Sequence, residues 1–367
     1  MFSTRLGFSY FLCAETLFPL LGILFITRES VAYFGITSTR PKQVDFDKLL
    51  HRHPGDCRSL QLTREQRRMC NSDSGMGRVL TEGLILSVQE CKKQFEHERW
   101  NCSVNHQAQR LSLIRAGMRE SSFMFALSSA ALANTIAKGC SSSSLLESCY
   151  CDLTSFSDEE NAEAWKWGGC GDNYRFSQMF LKGFLKDSQG RGGADFQSIL
   201  NRHNSDLGIR TVKKHFVKKC KCHGVSGTCE ASTCWRQVKP FKVIGDELKL
   251  RYERSVRVSV ENVANSRGVE LVTKSSKRGG ARSTTPSKGH MIYRNKSPDF
   301  CSRNQYSIGT AGRECNKTST CESMCCGRGY NIREITVKEK CRCTFQWCCD
   351  VHCAECTKNV ELALCRE

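Results

Sequence analysis

Between Val79 and Phe95 the positions Leu80, Gly83, Leu84, Val88 and Cys91 recur at three- and four-residue intervals, the repeat of one buried helical face. A second run, Ser121 to Lys138, is alanine-rich with Phe123, Leu127, Ala130 and Ile136 interspersed, and Gly139 supplies a natural stop. The spacing predicts a third helix over 175–186 and a fourth from Asp246 to Val256, where Leu248, Tyr252 and Val256 stand four apart on one face. Apolar residues at this spacing build core, so none of the stripes marks a cofactor site.

Further on the pattern breaks. Residues 274–289, Lys-Ser-Ser-Lys-Arg-Gly-Gly-Ala-Arg-Ser-Thr-Thr-Pro-Ser-Lys-Gly, are too polar and basic to bury a core and predict an exposed linker. After it only short segments separate cysteines, so disulfides, each worth about 2–4 kcal/mol, replace apolar core. The chain therefore divides into a helical amino-terminal domain over 33–262, a basic linker over 263–298 and a cystine-rich domain over 299–367, an α+β protein.

Residues 1–32 read as a signal peptide. Arg5 precedes an apolar stretch densest from Leu17 to Ile26, and Ser30-Val31-Ala32 offers small residues for cleavage before Tyr33. Glu15 interrupts the run and leaves about ten clean apolar residues, against the roughly 20 a membrane span needs. The count of 25 cysteines points to an oxidising compartment. Cleavage removes Cys13 and leaves an even set, twelve from Cys57 to Cys234 and twelve from Cys301 to Cys365. Even parity and few histidines also disfavour zinc as the use of these clusters.

The formal charge of +18 survives cleavage, because Arg5 and Arg28 balance Glu15 and Glu29. Outside the cell such a surface points to sulfated glycosaminoglycans or anionic membranes, not nucleic acid.

Two hairpins stand out. Over 220–234, Cys220 with Cys234 and Cys222 with Cys229 would pinch a finger that displays Ser226 at its tip. Their residue numbers sum to 454 and 451, so the return limb needs about three extra residues. Over 341–356, Cys341 with Cys356, Cys343 with Cys353 and Cys348 with Cys349 sum to 697, 696 and 697, which describes one long hairpin with a single irregularity. Phe345, Trp347 and Val351 would ride on its outer end, where aromatic anchors serve binding. Adjacent Cα atoms lie only about 3.8 Å apart, so a Cys348–Cys349 bond is geometrically strained.

Several motifs resemble the Wnt family of secreted signalling proteins across the whole mature chain. They are Trp100-Asn-Cys-Ser103, Trp167-Gly-Gly-Cys-Gly-Asp-Asn173, Cys220-Lys-Cys-His-Gly-Val-Ser-Gly-Thr-Cys229, Cys325-Cys-Gly-Arg-Gly329 and Cys341-Arg-Cys-Thr-Phe-Gln-Trp-Cys-Cys349. Gly309 to Arg313 and Cys234-Trp-Arg-Gln look most like the ninth subfamily. The resemblance implies a ligand that grips the cysteine-rich domain of a Frizzled receptor between a lipidated thumb and an index finger. It implies that Ser226 is esterified with palmitoleate by the acyltransferase Porcupine, that His223, Gly224, Val225 and Gly227 present it, and that Wntless carries the product. Phe345, Trp347, Cys348, Cys349 and Val351 would form the finger contact. A co-receptor related to the low-density-lipoprotein receptor and heparan sulfate proteoglycans are further partners, with the extracellular space and matrix as location. No cofactor beyond the acyl group is expected. Thr228 stands where serine is common in the family, and Asp350 where an aromatic residue is common.

The same resemblance implies the pairs Cys57–Cys70, Cys91–Cys102, Cys140–Cys149, Cys151–Cys170, Cys301–Cys326, Cys315–Cys321 and Cys325–Cys365 beside the hairpin pairs. Glycosylation sequons fall at Asn101, Asn295 and Asn316; Pro298 after the second disfavours its use. Two other readings compete. A serine hydrolase would use Ser226 with His223, but Thr228 and Cys229 do not fit a nucleophile elbow and no acidic residue in the loop orients the imidazole. A basic matrix or membrane-surface protein would act through charge alone and release its partner in high salt.

Overall fold

A computed structural model describes residues 57, 58, 60, 62–102, 107–153, 165–185, 196–262, 269–273, 285–347 and 350–367. The expected signal peptide and the Cys348–Cys349 pair lie outside them. No described helix is long and apolar enough to cross a membrane.

The helical part is built around one central rod. Helix α4 (Arg119–Ser141) is buried on nearly every side, and α2 (Met76–Gln94), α5 (Tyr174–Phe184), α6 (Phe196–Lys214) and α7 (Phe241–Glu253) pack about it. Among the described residues, helices α1 (Arg64–Cys70) and α3 (Gln107–Ala116) are the others of this part. Its alanines and serines suit this position, because small side chains let neighbouring helices approach. At the α6 crossing a Cβ on Gly208 would lie 1.9 Å from the Ala126 carbonyl oxygen. The core gathers Phe95, Trp100, Phe123 and Tyr252 in edge-to-face contacts, with ring centroids 4.7 Å apart for Phe95 and Trp100.

Four expected helices are present with shifted ends. Helix α7 starts five residues earlier than Asp246, and Val256 leaves it to begin strand β4 (Val256–Asn262). Helix α6 went unread in the sequence: its buried stripe includes Asn204, Ser205 and Thr211, which mask the apolar repeat. Asn204 is satisfied inside the core. It donates to the Leu200 and Ile292 carbonyls at 3.0 and 2.9 Å and accepts from the Ile292 amide at 3.1 Å.

The boundary drawn at 263–298 is corrected by that last contact. Part of the expected linker is strand β5 (Val269–Thr273), antiparallel to β4. Strand β6 (Ile292–Tyr293) then runs parallel to β4, and Met291 and Ile292 are fully buried among the helices. The physical reason is the apolar pair Met291-Ile292, which directly follows the polar run. Residues 263–268 and 274–284 lie outside the described set.

In the carboxyl-terminal part, strands β7 (Glu314–Cys315), β9 (Asp350–Cys365) and β8 (Tyr330–Gln346) form one sheet in the order β7-β9-β8, beside the short helix α8 (Cys321–Met324). Ten of the expected disulfides are formed, from Cys57–Cys70 through Cys343–Cys353. The expected Cys151–Cys170 bridge is not: both thiols are free. An isolated bridge between Asp152 and Gly171 places the two cysteines on diagonal positions, where the thiols meet by hydrogen bonding. Burial, then the hydrogen bond and charge of Cys151, push the Cys170 thiol up to about 12, so it stays protonated.

Candidate functional site

The thumb is a three-stranded sheet, β1 (Trp165–Gly168), β3 (Ala231–Val238) and β2 (Phe216–Cys222), with β1 parallel and β2 antiparallel to β3. Every β2–β3 rung from Phe216↔Val238 to Cys222↔Ser232 sums to 454, so Cys220 and Cys234 are direct partners with Cα atoms 4.0 Å apart. Cys229 lies before β3 begins, which accommodates the extra residues anticipated on the return limb.

The loop above the Cys222–Cys229 bridge is closed by backbone bonds. Gly224 donates to the Thr228 carbonyl at 2.8 Å and Gly227 to the Gly224 carbonyl at 3.0 Å. This single turn holds Ser226 at φ 56° and ψ 25°, followed by Gly227 at φ 78°. Two consecutive left-handed residues turn the chain back, and Ser226 is left exposed at the turn. Val225 beside it is 87% exposed. Gly224 is required for another reason: a Cβ there would lie 2.0 Å from Thr228 Oγ1 and 2.5 Å from its carbonyl oxygen. The ring of His223 is hydrogen-bonded to Thr233 Oγ1 at 2.8 Å, on β3.

What seats the thumb was not singled out in the sequence. Asp172 is buried and accepts from Ser141 Oγ at the end of α4 (2.6 Å) and from the Val238 amide at the root of β3 (2.9 Å). Its own amide donates to the Arg236 carbonyl at 2.9 Å, and Gly169 donates to the Cys234 carbonyl at 2.7 Å. The Trp167–Asn173 motif is therefore the socket of the thumb. Its glycines let the chain lie against β3, since a Cβ on Gly171 would be 3.0 Å from the Arg236 carbonyl oxygen.

The finger is the far end of the β8–β9 ribbon. Rungs sum to 695 from Tyr330↔Cys365 to Cys341↔Ala354 and to 696 from Thr344↔His352 outward, with the irregularity between Cys341 and Thr344. Cys341 thus bonds diagonally to Cys356, while Cys343 and Cys353 face each other with Cα atoms 4.0 Å apart. Phe345 and Val351 are paired across the ribbon and exposed, and Trp347 is 91% exposed at the tip. Asp350 lies 3.9 Å from His352, an ion pair only when the imidazole is protonated. Thumb and finger are separate projections, and Ser226 is not brought into contact with Trp347 by any described bond.

These features coincide with a family model, the Wnt family, which matches residues 58–366. The chain belongs to the Wnt family. It is 40% identical over 356 residues to Protein Wnt-9a of Gallus gallus, covering 95% of this chain and 98% of that one. It is 40% identical over 315 residues to Protein Wnt-9b of Homo sapiens, covering 86% of each. These relatives support the ninth subfamily. A solved structure of human WLS in complex with WNT8A matches with a TM-score of 0.56 and 30% identity, covering 78% of this chain and 93% of that one. Family members are secreted developmental signalling ligands, and the helical part, disulfides and carboxyl-terminal hairpin seen here are the Wnt fold.

Other residues singled out for chemistry are placed as follows. Asn316 lies in an exposed turn where its Oδ1 accepts from the Thr318 amide at 3.0 Å and hydroxyl at 2.7 Å. Asn295 donates through Nδ2 to the Ala116 carbonyl at 2.8 Å, and its sequon partner Ser297 donates to Glu120 Oε2 at 2.5 Å. Asn101 is partly buried between Trp100 and Cys102. The sulfurs of Cys315, Cys325 and Cys365 lie within 4.8 Å of one another, but all three are in disulfides and offer no thiolate.

Proposed function

We propose that this chain is a secreted Wnt ligand that carries palmitoleate on Ser226 and binds Frizzled cysteine-rich domains through the lipidated thumb and the finger. The observation that carries the reading is the pose of Ser226: an exposed hydroxyl held in a left-handed turn above a disulfide-braced hairpin, beside the exposed Val225. An acyltransferase needs such a projecting hydroxyl. A sixteen-carbon chain buried at about 0.8 kcal/mol per CH₂ then supplies on the order of 10 kcal/mol to a receptor groove. Trp347, Phe345 and Val351 form the second, protein-only contact, with Cys348 and Cys349 adjoining it in sequence.

Porcupine is the proposed acyltransferase, and Wntless the carrier, supported by the fold shared with the WNT8A chain of the WLS complex. A co-receptor related to the low-density-lipoprotein receptor, and heparan sulfate proteoglycans drawn by the +18 charge, complete the partners in the extracellular matrix. The chain acts as a ligand, not an enzyme, a reading supported by its membership of a family of signalling ligands and by the hydrogen bond that ties the His223 imidazole to Thr233 on β3.

Binding of the secreted protein to an immobilised Frizzled cysteine-rich domain tests this. Trp347→Ala is expected to weaken binding about ten-fold or more, in the range of an interface anchor, and to leave acylation intact. Equal affinity of Trp347→Ala and wild type would remove the finger from the contact.

A further inference from the structure

Strand β8 has β9 on one edge and, among the described residues, no strand on the other. Its side chains are exposed along almost the whole length, Ile332 and Val337 included. Such an edge is a row of backbone donors and acceptors ready to receive another strand, and proteins commonly guard it with charge. Here the edge reads Arg333-Glu334-Ile335-Thr336-Val337-Lys338-Glu339, with the signs reversed about Thr336. Arg333, Glu334, Lys338 and Glu339 make no ion pair or side-chain hydrogen bond among the described residues. Within the ribbon Glu334 faces Glu361, and Lys317 pairs only with the second of these like charges.

A strand whose charges reverse about its own centre is complementary to an antiparallel copy of itself. We propose that two copies of this chain pair edge to edge through β8 about a two-fold axis at Thr336, so that Arg333 meets Glu339, Glu334 meets Lys338 and Ile335 meets Val337, each pair twice. The backbone marks the same centre independently. The regular edge begins at Tyr330 and ends at Arg342, whose φ of 47° opens the irregularity before Thr344, and Thr336 stands midway between these ends. Paired residues share a face, so Ile335 and Val337 of both copies join Val360 and Leu362 in one apolar stripe across the combined sheet. A slip of one residue in either direction sets Arg333 on Lys338 or Glu334 on Glu339, and like charge opposes it. A parallel copy in register stacks every charge on itself. The edge charges that repel other pairings thus admit one register. Beyond Arg342 the overlap ends, so Phe345 and Trp347 overhang and stay exposed in both copies. The pairing does not depend on an acyl group at Ser226.

The test is sedimentation velocity of the secreted full-length protein over a dilution series, in detergent so that acyl chains do not associate. It compares wild type, Glu334→Lys, Lys338→Glu and an equal mixture of the two variants. Wild type should reach twice the mass of one chain. Each variant alone should associate about ten-fold or more weakly, because both copies of the Glu334–Lys338 contact turn repulsive. The mixture should recover toward the wild-type affinity, since each variant then supplies the sign the other lacks. A wild type that keeps the mass of one chain throughout the series overturns the proposal. So does a dimer equally strong in both variants, or a loss of association that mixing the variants does not restore.

Discussion

Ser226 is held at φ 56° by its loop, and the two glycines of that loop do different work. Gly227 needs its backbone freedom at φ 78°, yet no atom lies within 4 Å of a Cβ added there. Gly224 needs space, because Thr228 fills the volume its Cβ would take. Gly227→Ala should therefore cost only about 1–2 kcal/mol and leave most of the chain acylated. Gly224→Ala cannot close the turn and should reduce the acylated fraction several-fold more, as read by intact mass of the secreted protein. The serine and its glycines were legible because the motif is local. The clash that makes Gly224 necessary was not, since it depends on the loop closing onto Thr228.

The thumb as an element depends on Asp172, whose two oxygens join the end of α4 to the root of β3. Asp172→Ala strands the buried Val238 amide and the Ser141 hydroxyl and should lower stability by roughly 2–4 kcal/mol, measurable by thermal unfolding. Its partners stand 31 and 66 residues away in sequence, so a pattern of neighbours did not reveal the role. The α6–α7 region should also respond to acid. Burial holds His203 below its ordinary value of 6.5, although its bond to the His290 carbonyl opposes this. Burial alone would raise Glu247, but hydrogen bonds from Arg251 and His215 hold it below 4.5. Both groups therefore favour the folded state above their unfolded values: the His203 contribution fades as pH falls below 6.5, and that of Glu247 only below 4.5. Chemical unfolding across pH should show a loss starting near 6.5 in wild type that is reduced in His203→Gln, whereas an identical profile in that variant contradicts the assignment.

For the whole molecule, the return segment decides how the two parts join. Asn295 and Ser297 are bonded into the ends of α3 and α4, while Arg313 grips the turn that follows α2 by donating to the Arg99 and Glu96 carbonyls at 2.7 and 2.9 Å. A glycan on Asn295 would block that docking. Peptide mapping should therefore find Asn295 bare and Asn316 modified; occupied Asn295 in folded, secreted protein contradicts this seating. Four amphipathic helices and a long finger hairpin with one irregularity were readable from apolar repeats and cysteine sums, although the rungs inward of Cys341 sum to 695 rather than 697. Helix α6 and the buried Met291-Ile292 return were not, because polar residues on the buried stripe of α6 mask its repeat and are satisfied by a segment 88 residues away.

The central claim is that the thumb works through an acyl group on Ser226. Tandem mass spectrometry of the secreted wild type and Ser226→Ala proteins, paired with binding to a Frizzled cysteine-rich domain, tests it most directly. The account predicts a hydroxylamine-sensitive palmitoleoyl ester on the 222–229 peptide, absent in the variant, together with lost binding. An unmodified wild-type peptide in a protein that still binds fully would contradict it and leave the Trp347 finger as the contact.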